Sequence, residues 1–91
     1  MAKVRKHVHI KGRVQGVWFR ASTREQALSN NVYGWVQNNP RGDVEAVFEG
    51  EESDVERVIK WCHRGPSAAY VTDVEIADEK HSGEFSTFSV R

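Results

Sequence analysis

Residues 4–20 have the sequence VRKHVHIKGRVQGVWFR, and this stretch decides the fold. One face of its first part carries Val4, Val8, Ile10 and Val14, together with Lys6 and Gly12. The other face carries only basic residues: Arg5, His7, His9, Lys11 and Arg13. Because side chains alternate between the two faces of a β-strand, this pattern predicts a strand over residues 4–14 with one buried and one solvated face.

The remainder of the chain predicts two helices and four more strands. Between two short strands, Asn39-Pro40-Arg41-Gly42 has proline and glycine where a type I turn favours them, which indicates a hairpin. A stripe at helical spacing consists of Val55, Val58, Ile59 and Cys62. Ser53 and Glu56 fit a capping box, and Asn31 fits the left-handed residue that ends a helix. The predicted helices span residues 21–31 and 52–64, and the strands span 34–38, 43–49, 70–77 and 86–90.

The order of these elements predicts an α+β fold. The arrangement βαββαβ with a short C-terminal strand is the ferredoxin-like split βαβ sandwich, here an antiparallel sheet with two helices on one face. The first strand then lies between the third and the fourth, whose solvated positions are acidic: Asp43, Glu45, Glu49, Asp73 and Glu75. Opposite charges on neighbouring strands pair favourably, so the basic stripe is expected to be neutralised within the sheet.

Size and composition narrow the function classes. The 91 residues correspond to a single domain, residues 1–91. A formal net charge of zero disfavours nucleic-acid binding, which draws on a basic surface. The single cysteine, Cys62, forms neither an internal disulfide nor a two-cysteine metal motif. No apolar run suggests a signal peptide or a membrane span, so a cytoplasmic protein without membrane association is expected.

The loop that follows the first strand has the features of an anion site. Gly16 permits a tight turn, and unpaired N–H groups at a helix start bind anions with help from the helix dipole. Arg20 is a cation at the positive end of that helix, which is favourable if an oxyanion lies between the loop and the guanidinium. Asn38 ends the second strand and is able to hold a water, although its position alone favours a role in capping the turn.

Two segments together resemble the signatures of the acylphosphatase family. Residues 12–20 are similar to the first signature, with its Val-Gln-Gly-Val core and terminal Phe-Arg. Residues 34–50 are similar to the second, with the glycines at positions 34, 42 and 50, the Trp35-Val36 pair and Asn38 in place. The resemblance extends over essentially the whole chain, and two signatures at the right separation are far more specific than one glycine-rich loop.

This resemblance implies an enzyme that hydrolyses acyl phosphates to a carboxylate and inorganic phosphate, with no metal and no cofactor. It implies that Arg20 binds the phosphate and that Asn38 orients the attacking water. The implied phosphate-binding loop consists of Gln15, Gly16, Val17, Trp18, Phe19 and Arg20. The implied ligands are a small-molecule acyl phosphate and, as product or competitor, inorganic phosphate or other small anions, and a monomer is expected. Two residues depart from the pattern: Trp18 where many relatives have a small residue, and Asn30 where relatives often have an apolar one.

Other interpretations compete at individual residues. His7 and His9 have a spacing that suits a metal, but no carboxylate or cysteine is locally placed to complete a site, so a solvated pair facing acidic neighbours is favoured. Cys62 and His63 point about 100° apart on a helix, which predicts a core role for Cys62 rather than a nucleophile–base pair. The acidic residues from Glu49 to Glu52 are expected to be solvated.

Two other function classes share this element order. The RNA-recognition fold needs exposed aromatic residues on its central strands, whereas here those positions carry charges and Phe48 is expected to face inward with Val44 and Ala46. No RNP-type octamer is present. A catalytically idle, acylphosphatase-like module, of the kind fused to larger maturation enzymes, is disfavoured because both Arg20 and Asn38 are kept.

Overall fold

The computed structural model of the protein describes residues 2–91. Its elements in chain order are β1 (Lys3–Arg13), α1 (Phe19–Ser29), β2 (Tyr33–Asn38), β3 (Val44–Glu51), α2 (Glu52–Cys62), β4 (Tyr70–Glu79) and β5 (Phe88–Val90). The strands form one five-stranded sheet in the order β4-β1-β3-β2-β5. The predicted ferredoxin-like α+β fold is therefore confirmed, with β1 between β3 and β4 as expected. No helix within residues 2–91 is both long enough and apolar enough to cross a membrane.

The sheet is mixed rather than wholly antiparallel. The pairs β1–β3, β1–β4 and β2–β3 are antiparallel, whereas β5 runs parallel to β2. In that parallel pair, Gly34 lies opposite Phe88 and Val36 lies opposite Val90. The short C-terminal strand thus extends the sheet beside the strand that ends at Asn38.

The helices and one face of the sheet enclose a single hydrophobic core. Phe48 of β3 and Phe88 of β5 stack there with their ring centroids 5.7 Å apart, which fixes the position of β5. Phe19 at the start of α1 contacts Trp61 of α2, with centroids 5.4 Å apart. The buried residues of this core are Val8, Ile10, Val14, Phe19, Ala27, Val32, Val36, Val44, Ala46, Phe48, Val55, Val58, Ile59, Cys62 and Phe88. The inward orientation of Phe48 and the core position of Cys62 are confirmed.

The basic residues of β1 pair with acidic residues of neighbouring strands on the opposite face of the sheet. Lys11 Nζ lies 3.2 Å from a carboxylate oxygen of Glu75, and the Arg5 guanidinium lies 2.8 Å from Glu79. His7 contacts both Glu79 and Glu45. Burial alone lowers the pKa of His7, but the hydrogen bonds to Glu45 and Glu79 raise it above its ordinary value overall. The expected pairing with acidic neighbours is thereby confirmed for Arg5, His7, His9 and Lys11, whereas Arg13 forms no ion pair within residues 2–91.

The ends of the helices differ from the predicted ones. Helix α1 starts two residues earlier than predicted, because Trp18 adopts a left-handed conformation and serves as its N-cap. It ends as expected near Asn31, which is left-handed with φ of 59°. The predicted capping box of α2 is wrong: its N-cap is Glu51, no side chain caps it, and the N–H of Glu52 donates to the carbonyl oxygen of Ala2.

A β-bulge changes the register where β1 meets β4. The pairing shifts between Lys11 and Gly12, so that Gly12 lies opposite Val71. At Gly12, φ is 124°, and a Cβ atom would lie 2.1 Å from the carbonyl oxygen of Tyr70. Only glycine fits this close approach. The solvated positions expected for β4, Asp73 and Glu75, would put Val71 on the same solvated face. After the bulge Val71 instead packs on the core, and Tyr70 is 71% exposed.

Glu49 is buried rather than solvated, which corrects the expectation for the start of the acidic run. It is 3% exposed and lies beneath the loop that follows β4. Its carboxylate accepts hydrogen bonds from the N–H groups of Ser82 and Gly83 and from the Ser82 hydroxyl. Burial alone raises the pKa of Glu49, but these hydrogen bonds, together with His81 and Arg5, hold it below its ordinary value.

Candidate active site

The loop between β1 and α1 turns sharply at two left-handed residues. Gly16 has φ of 74° and Trp18 has φ of 66°. The loop is anchored at both ends in the core, because Val14 and Phe19 are buried. Two left-handed residues between two anchors give the backbone a tight curve that ends at the N-terminus of α1.

The N–H groups of this loop are free to bind a ligand. Within residues 2–91, the backbone N–H groups of residues 15–20 donate to no protein acceptor, and no side chain caps α1. The first hydrogen bond of the helix is donated by Ser22 to the carbonyl oxygen of Trp18. A curved run of unpaired N–H groups at a helix start is a typical anion site.

Arg20 lies beside these N–H groups in the first turn of α1. Its side chain is half-buried, and its Nη1 atom donates a 3.2 Å hydrogen bond to the carbonyl oxygen of Arg91, just after β5. The neighbouring Arg24 donates from Nε to the carbonyl oxygen of Phe88 at 3.2 Å. These two bonds fix the position of β5 relative to α1 and hold the Arg20 guanidinium at the edge of the pocket.

Asn38 faces the same pocket from the end of β2. Its side-chain oxygen Oδ1 is buried and has no hydrogen-bond partner within residues 2–91. The turn beside it is instead capped by the next residue, since Asn39 Oδ1 accepts from the N–H groups of Arg41 and Asp43. Leaving a buried polar atom without a partner costs about 1–3 kcal/mol, so Asn38 is better explained by a ligand than by the turn.

Gln15 connects the loop to the hairpin that carries Asn38. Its Nε2 donates hydrogen bonds to the carbonyl oxygens of Asn39 at 2.8 Å and Asp43 at 2.9 Å. From the sequence, Gln15 is expected to contribute to the loop only through its backbone N–H. The structure adds a role for the side chain, because these two bonds set the distance between the N–H groups of the loop and Asn38.

The pocket between these groups has a volume of about 390 Å³. Its lining consists of Val14, Gly16, Trp18, Phe19, Arg20, Ala21, Asn38 and Val90. It therefore brings together Arg20, Asn38 and the loop residues Gly16, Trp18 and Phe19 that the sequence singles out. Val17 does not line it and packs partly against the core instead.

The C-terminal strand also contributes residues to this pocket, and the sequence does not predict that contribution. Val90 lines the pocket, and the carbonyl oxygen of Arg91 accepts from Arg20. The sequence predicts a terminal strand but not its parallel pairing with β2, which is what places Val90 opposite Val36. Val90 is apolar and lies two residues after Phe88, and this spacing is the only sequence signal for its position.

Trp18 stands at the opening of the pocket. Its side chain is 80% exposed, which is unusual for tryptophan. Together with Val90, which is 43% exposed, it gives an apolar rim to the pocket that contains Arg20 and Asn38. The rim suits an apolar group attached to an anion.

The chemistry available in this pocket is charge stabilisation and positioning. Arg20 is the only ionisable side chain among its lining residues. Cys62 does not contribute a nucleophile, because it is fully buried in the core and burial raises the pKa of its thiol far above its ordinary value. The site thus offers a fixed cation, N–H donors and a polar acceptor for a neutral molecule such as water.

The chain is similar to known proteins over nearly its whole length. The family model described as Acylphosphatase matches residues 6–90. The acylphosphatase of Pelotomaculum thermopropionicum is 47% identical over 90 residues, which cover 99% of this chain and 98% of the relative.

Solved structures agree in fold over nearly the whole chain. An acylphosphatase from Coxiella burnetii superposes with a TM-score of 0.93 at 37% identity, covering 98% of this chain and 93% of the other. Full-length HypF in its phosphate- and nucleotide-bound form matches with a TM-score of 0.90 at 28% identity, covering 99% of this chain but 12% of HypF. The match of the family model and the full-length likeness to curated relatives place this chain in the acylphosphatase family.

Proposed function

We propose that this protein, a hydrolase of the acylphosphatase family, cleaves acyl phosphates by attack of a water molecule that Asn38 orients on a phosphate that Arg20 binds. The observation that carries the proposal is the unpartnered Oδ1 atom of Asn38, which faces the same pocket as Arg20. An anion site with a free polar acceptor beside it suits a reaction in which water attacks a bound phosphate.

Phosphate binding would rest on the loop and Arg20 together. The free N–H groups of residues 15–20 donate to the phosphate oxygens, and the Arg20 guanidinium supplies the compensating charge. The carbonyl oxygen of Arg91 already accepts from one guanidinium nitrogen, so the others are oriented before the substrate arrives. Such preorganised donors stabilise charge that develops in the transition state at little reorganisation cost.

The chemical step breaks the bond between phosphorus and the acyl oxygen. Water donates one O–H to Asn38 Oδ1. This hydrogen bond aims a lone pair of the water oxygen at phosphorus, opposite the leaving carboxylate. The water oxygen forms the new bond to phosphorus, and the electron pair of the broken bond leaves on the carboxylate. A non-bridging phosphate oxygen takes the water proton, so the products are a carboxylate and inorganic phosphate. Because a carboxylate is a good leaving group, the step requires no protein base. None lines the pocket, where Arg20 is the only ionisable side chain.

A direct test compares the parent protein with variants of these two residues. The assay measures hydrolysis of benzoyl phosphate with a chelator present, for the parent, Arg20→Ala and Asn38→Ala. We expect a loss of at least about 100-fold in kcat for each variant, the scale found when one transition-state donor is removed. Arg57→Ala and Asn30→Ala are matched controls on the helices, and we expect both to stay active.

The outcomes separate the parts of the proposal. A folded but inactive parent would refute acyl phosphate hydrolysis. An unchanged Asn38→Ala variant would refute the role in orienting water while leaving phosphate binding intact. Circular dichroism of each variant establishes that any loss is not due to unfolding.

One alternative has a specific observation in its favour. The match to 12% of HypF fits a module that binds its ligand within a larger enzyme. The 47% identity with an acylphosphatase, 98% of whose length this chain covers, favours an enzyme that acts by itself. We accordingly propose a single catalytic domain over residues 1–91, monomeric and cytoplasmic, that takes a small acyl phosphate as substrate and binds inorganic phosphate as product. Activity of the isolated chain is the discriminating measurement.

A further inference from the structure

A second cluster of chemically capable side chains lies on the opposite face of the sheet from the helices. It consists of His7 and His9 of β1 and Glu45 of β3, and is called the His7–His9–Glu45 cluster below. One ligand atom from each residue lies within 4.8 Å of the others. Glu45 Oε2 lies 2.6 Å from His7 Nε2 and 3.7 Å from His9 Nε2. None of the three lines the pocket that contains Arg20.

The strand register builds this cluster. His7 and His9 are two residues apart on β1, so their side chains leave the same face of the sheet. Their rings stack at 5.2 Å between centroids with 23° between planes. Glu45 is the residue directly opposite His9 in the antiparallel β1–β3 pair. No carboxylate lies beside the two histidines within β1 itself, and the pairing of β1 with β3 supplies Glu45.

Further side chains orient the ligands of this cluster. His7 Nδ1 lies 3.0 Å from a carboxylate oxygen of Glu79, which leaves Nε2 as the nitrogen that faces Glu45. Gln37 Nε2 donates to Glu45 Oε1 at 3.2 Å, so that Oε2 remains directed at the histidines. A histidine ligand whose second ring nitrogen bonds a carboxylate is the usual outer arrangement of a metal site.

The distances suit a small divalent ion. Ligand bonds of about 2.0–2.2 Å in tetrahedral geometry require ligand atoms about 3.3–3.6 Å apart. The His7–Glu45 distance of 2.6 Å and the His9–Glu45 distance of 3.7 Å lie on either side of that range. Changes of about 1 Å or less are within reach of side-chain rotations at a partly exposed surface.

We propose that the His7–His9–Glu45 cluster is a binding site for Zn²⁺ or a similar borderline divalent cation, with a fourth position open to water. Two imidazoles and one carboxylate form a donor set that zinc accepts with one position left for an exogenous ligand. The three side chains are 18–28% exposed, which gives the ion and its water access from solvent. Such an ion would connect β1 with β3 at the centre of the sheet.

Titration of the full chain with metal is the test. After treatment with chelator and its removal, Co²⁺ is added as a spectroscopic probe and Zn²⁺ is titrated by calorimetry. We expect one Co²⁺ per chain with the visible absorption of a tetrahedral site, displaced by Zn²⁺. Because an ion that binds only the folded state stabilises it by mass action, Zn²⁺ in excess should also raise the melting temperature.

Variants assign the ion to these residues. His9→Gln and Glu45→Gln should lose the Co²⁺ spectrum. Glu79→Gln keeps all three ligands but weakens the hold on His7, so it should weaken Zn²⁺ binding by about 10–100-fold. His81→Gln is the matched control, since His81 lies outside the cluster. Absence of saturable binding in the parent would overturn the proposal. So would unchanged binding in folded His9→Gln and Glu45→Gln.

Discussion

The Nε2 atom of Gln15 donates a hydrogen bond of 2.8 Å to the carbonyl oxygen of Asn39. This bond joins the loop between β1 and α1 to the turn directly beside Asn38. The same nitrogen donates a second bond to the carbonyl oxygen of Asp43. Through these two bonds, the Gln15 side chain sets the distance between the loop and Asn38. We therefore expect Gln15 to act as a positioning residue rather than a catalytic one.

We expect Gln15→Ala to lower both stability and activity. Removal of the amide breaks two hydrogen bonds, each contributing about 0.5–1.5 kcal/mol to the free energy of unfolding. The two carbonyl oxygens keep their backbone donors, Gly42 for Asn39 and Asn39 for Asp43, so the total loss should be about 1–3 kcal/mol. Because Asn38 would lose its fixed distance from the loop, kcat should fall more than the affinity for phosphate. Urea unfolding and steady-state kinetics check the two effects. Gln26→Ala on α1 is the control, and an equal loss there would contradict a positioning role.

Trp18 should influence which acyl groups are accepted. Replacement by glycine removes the apolar rim, so KM for benzoyl phosphate should rise while KM for acetyl phosphate changes little. Because a left-handed non-glycine residue costs about 1–2 kcal/mol and Trp18 is 80% exposed, the free energy of unfolding should not fall. Parallel kinetics with the two substrates provide the measurement. The same ratio of KM values in parent and variant would argue against contact with the acyl group.

Glu49 should make the protein less stable in acid. Its pKa is lowered in the folded state, so between the folded and the unfolded pKa the unfolded chain binds more protons. Its contribution is then complete above the ordinary pKa of a glutamate and is lost as pH falls through the lower folded value. Arg5, His81 and Glu84 are the charged groups that act on this interaction.

Unfolding free energies of parent and Glu49→Gln from about pH 6 to pH 2.5 measure this effect. The difference between the two proteins should be largest near pH 6 and shrink towards pH 2.5. Glu45, Glu79 and Glu84 also have lowered pKa values, so the variant should retain part of the acid sensitivity. Glu75→Gln, at an exposed position of β4, serves as the control. A difference independent of pH would show that Glu49 acts through packing alone.

Gly12 should tolerate substitution far less than Gly42. Both have positive φ, of 124° and 95°, so alanine incurs about 1 kcal/mol or more of backbone strain at either. At Gly42 a Cβ atom meets nothing within 4 Å, whereas at Gly12 it would lie 2.1 Å from the carbonyl oxygen of Tyr70. We expect Gly12→Ala to lose at least about 2 kcal/mol more than Gly42→Ala by urea unfolding, because β4 has to move. Equal losses of unfolding free energy in the two variants would show that β4 moves away from the added Cβ atom at little cost.

The parts of the fold that follow from alternation were predictable from sequence. The strand β1, its place between β3 and β4, the inward orientation of Phe48 and the paired charges all depend on a period of two and on element order. The bulge at Gly12 was not predictable, because it depends on how closely the backbone of β4 approaches. Glu49 was assigned to solvent because its partners, Ser82 and Gly83, lie in a loop with no local pattern.

The candidate site likewise contains residues that the sequence predicts and residues that it does not. Arg20 and Gly16 follow from local chemistry at a helix start, and both line the pocket. Asn38 taken alone reads as a turn residue, and only the structure shows that Asn39 caps the turn and leaves Asn38 Oδ1 without a partner. Val90 depends on a parallel pairing between distant segments, and Glu45 reaches the histidines through strand register. Such long-range relationships have no local sequence signal.

We expect thermal inactivation of the enzyme to begin at the C-terminal end of β5. This edge strand is the shortest in the sheet, yet it provides Val90 to the pocket and leads to the carbonyl oxygen that orients Arg20. Short edge segments detach at lower free energy than the remainder of a domain. On heating, fraying of the segment after Phe88, whose ring stays packed on Phe48 in the core, would disassemble the pocket while the four longer strands and both helices stay intact. Activity would then disappear reversibly below the melting temperature, so a calorimetric midpoint would overstate the working range of the enzyme.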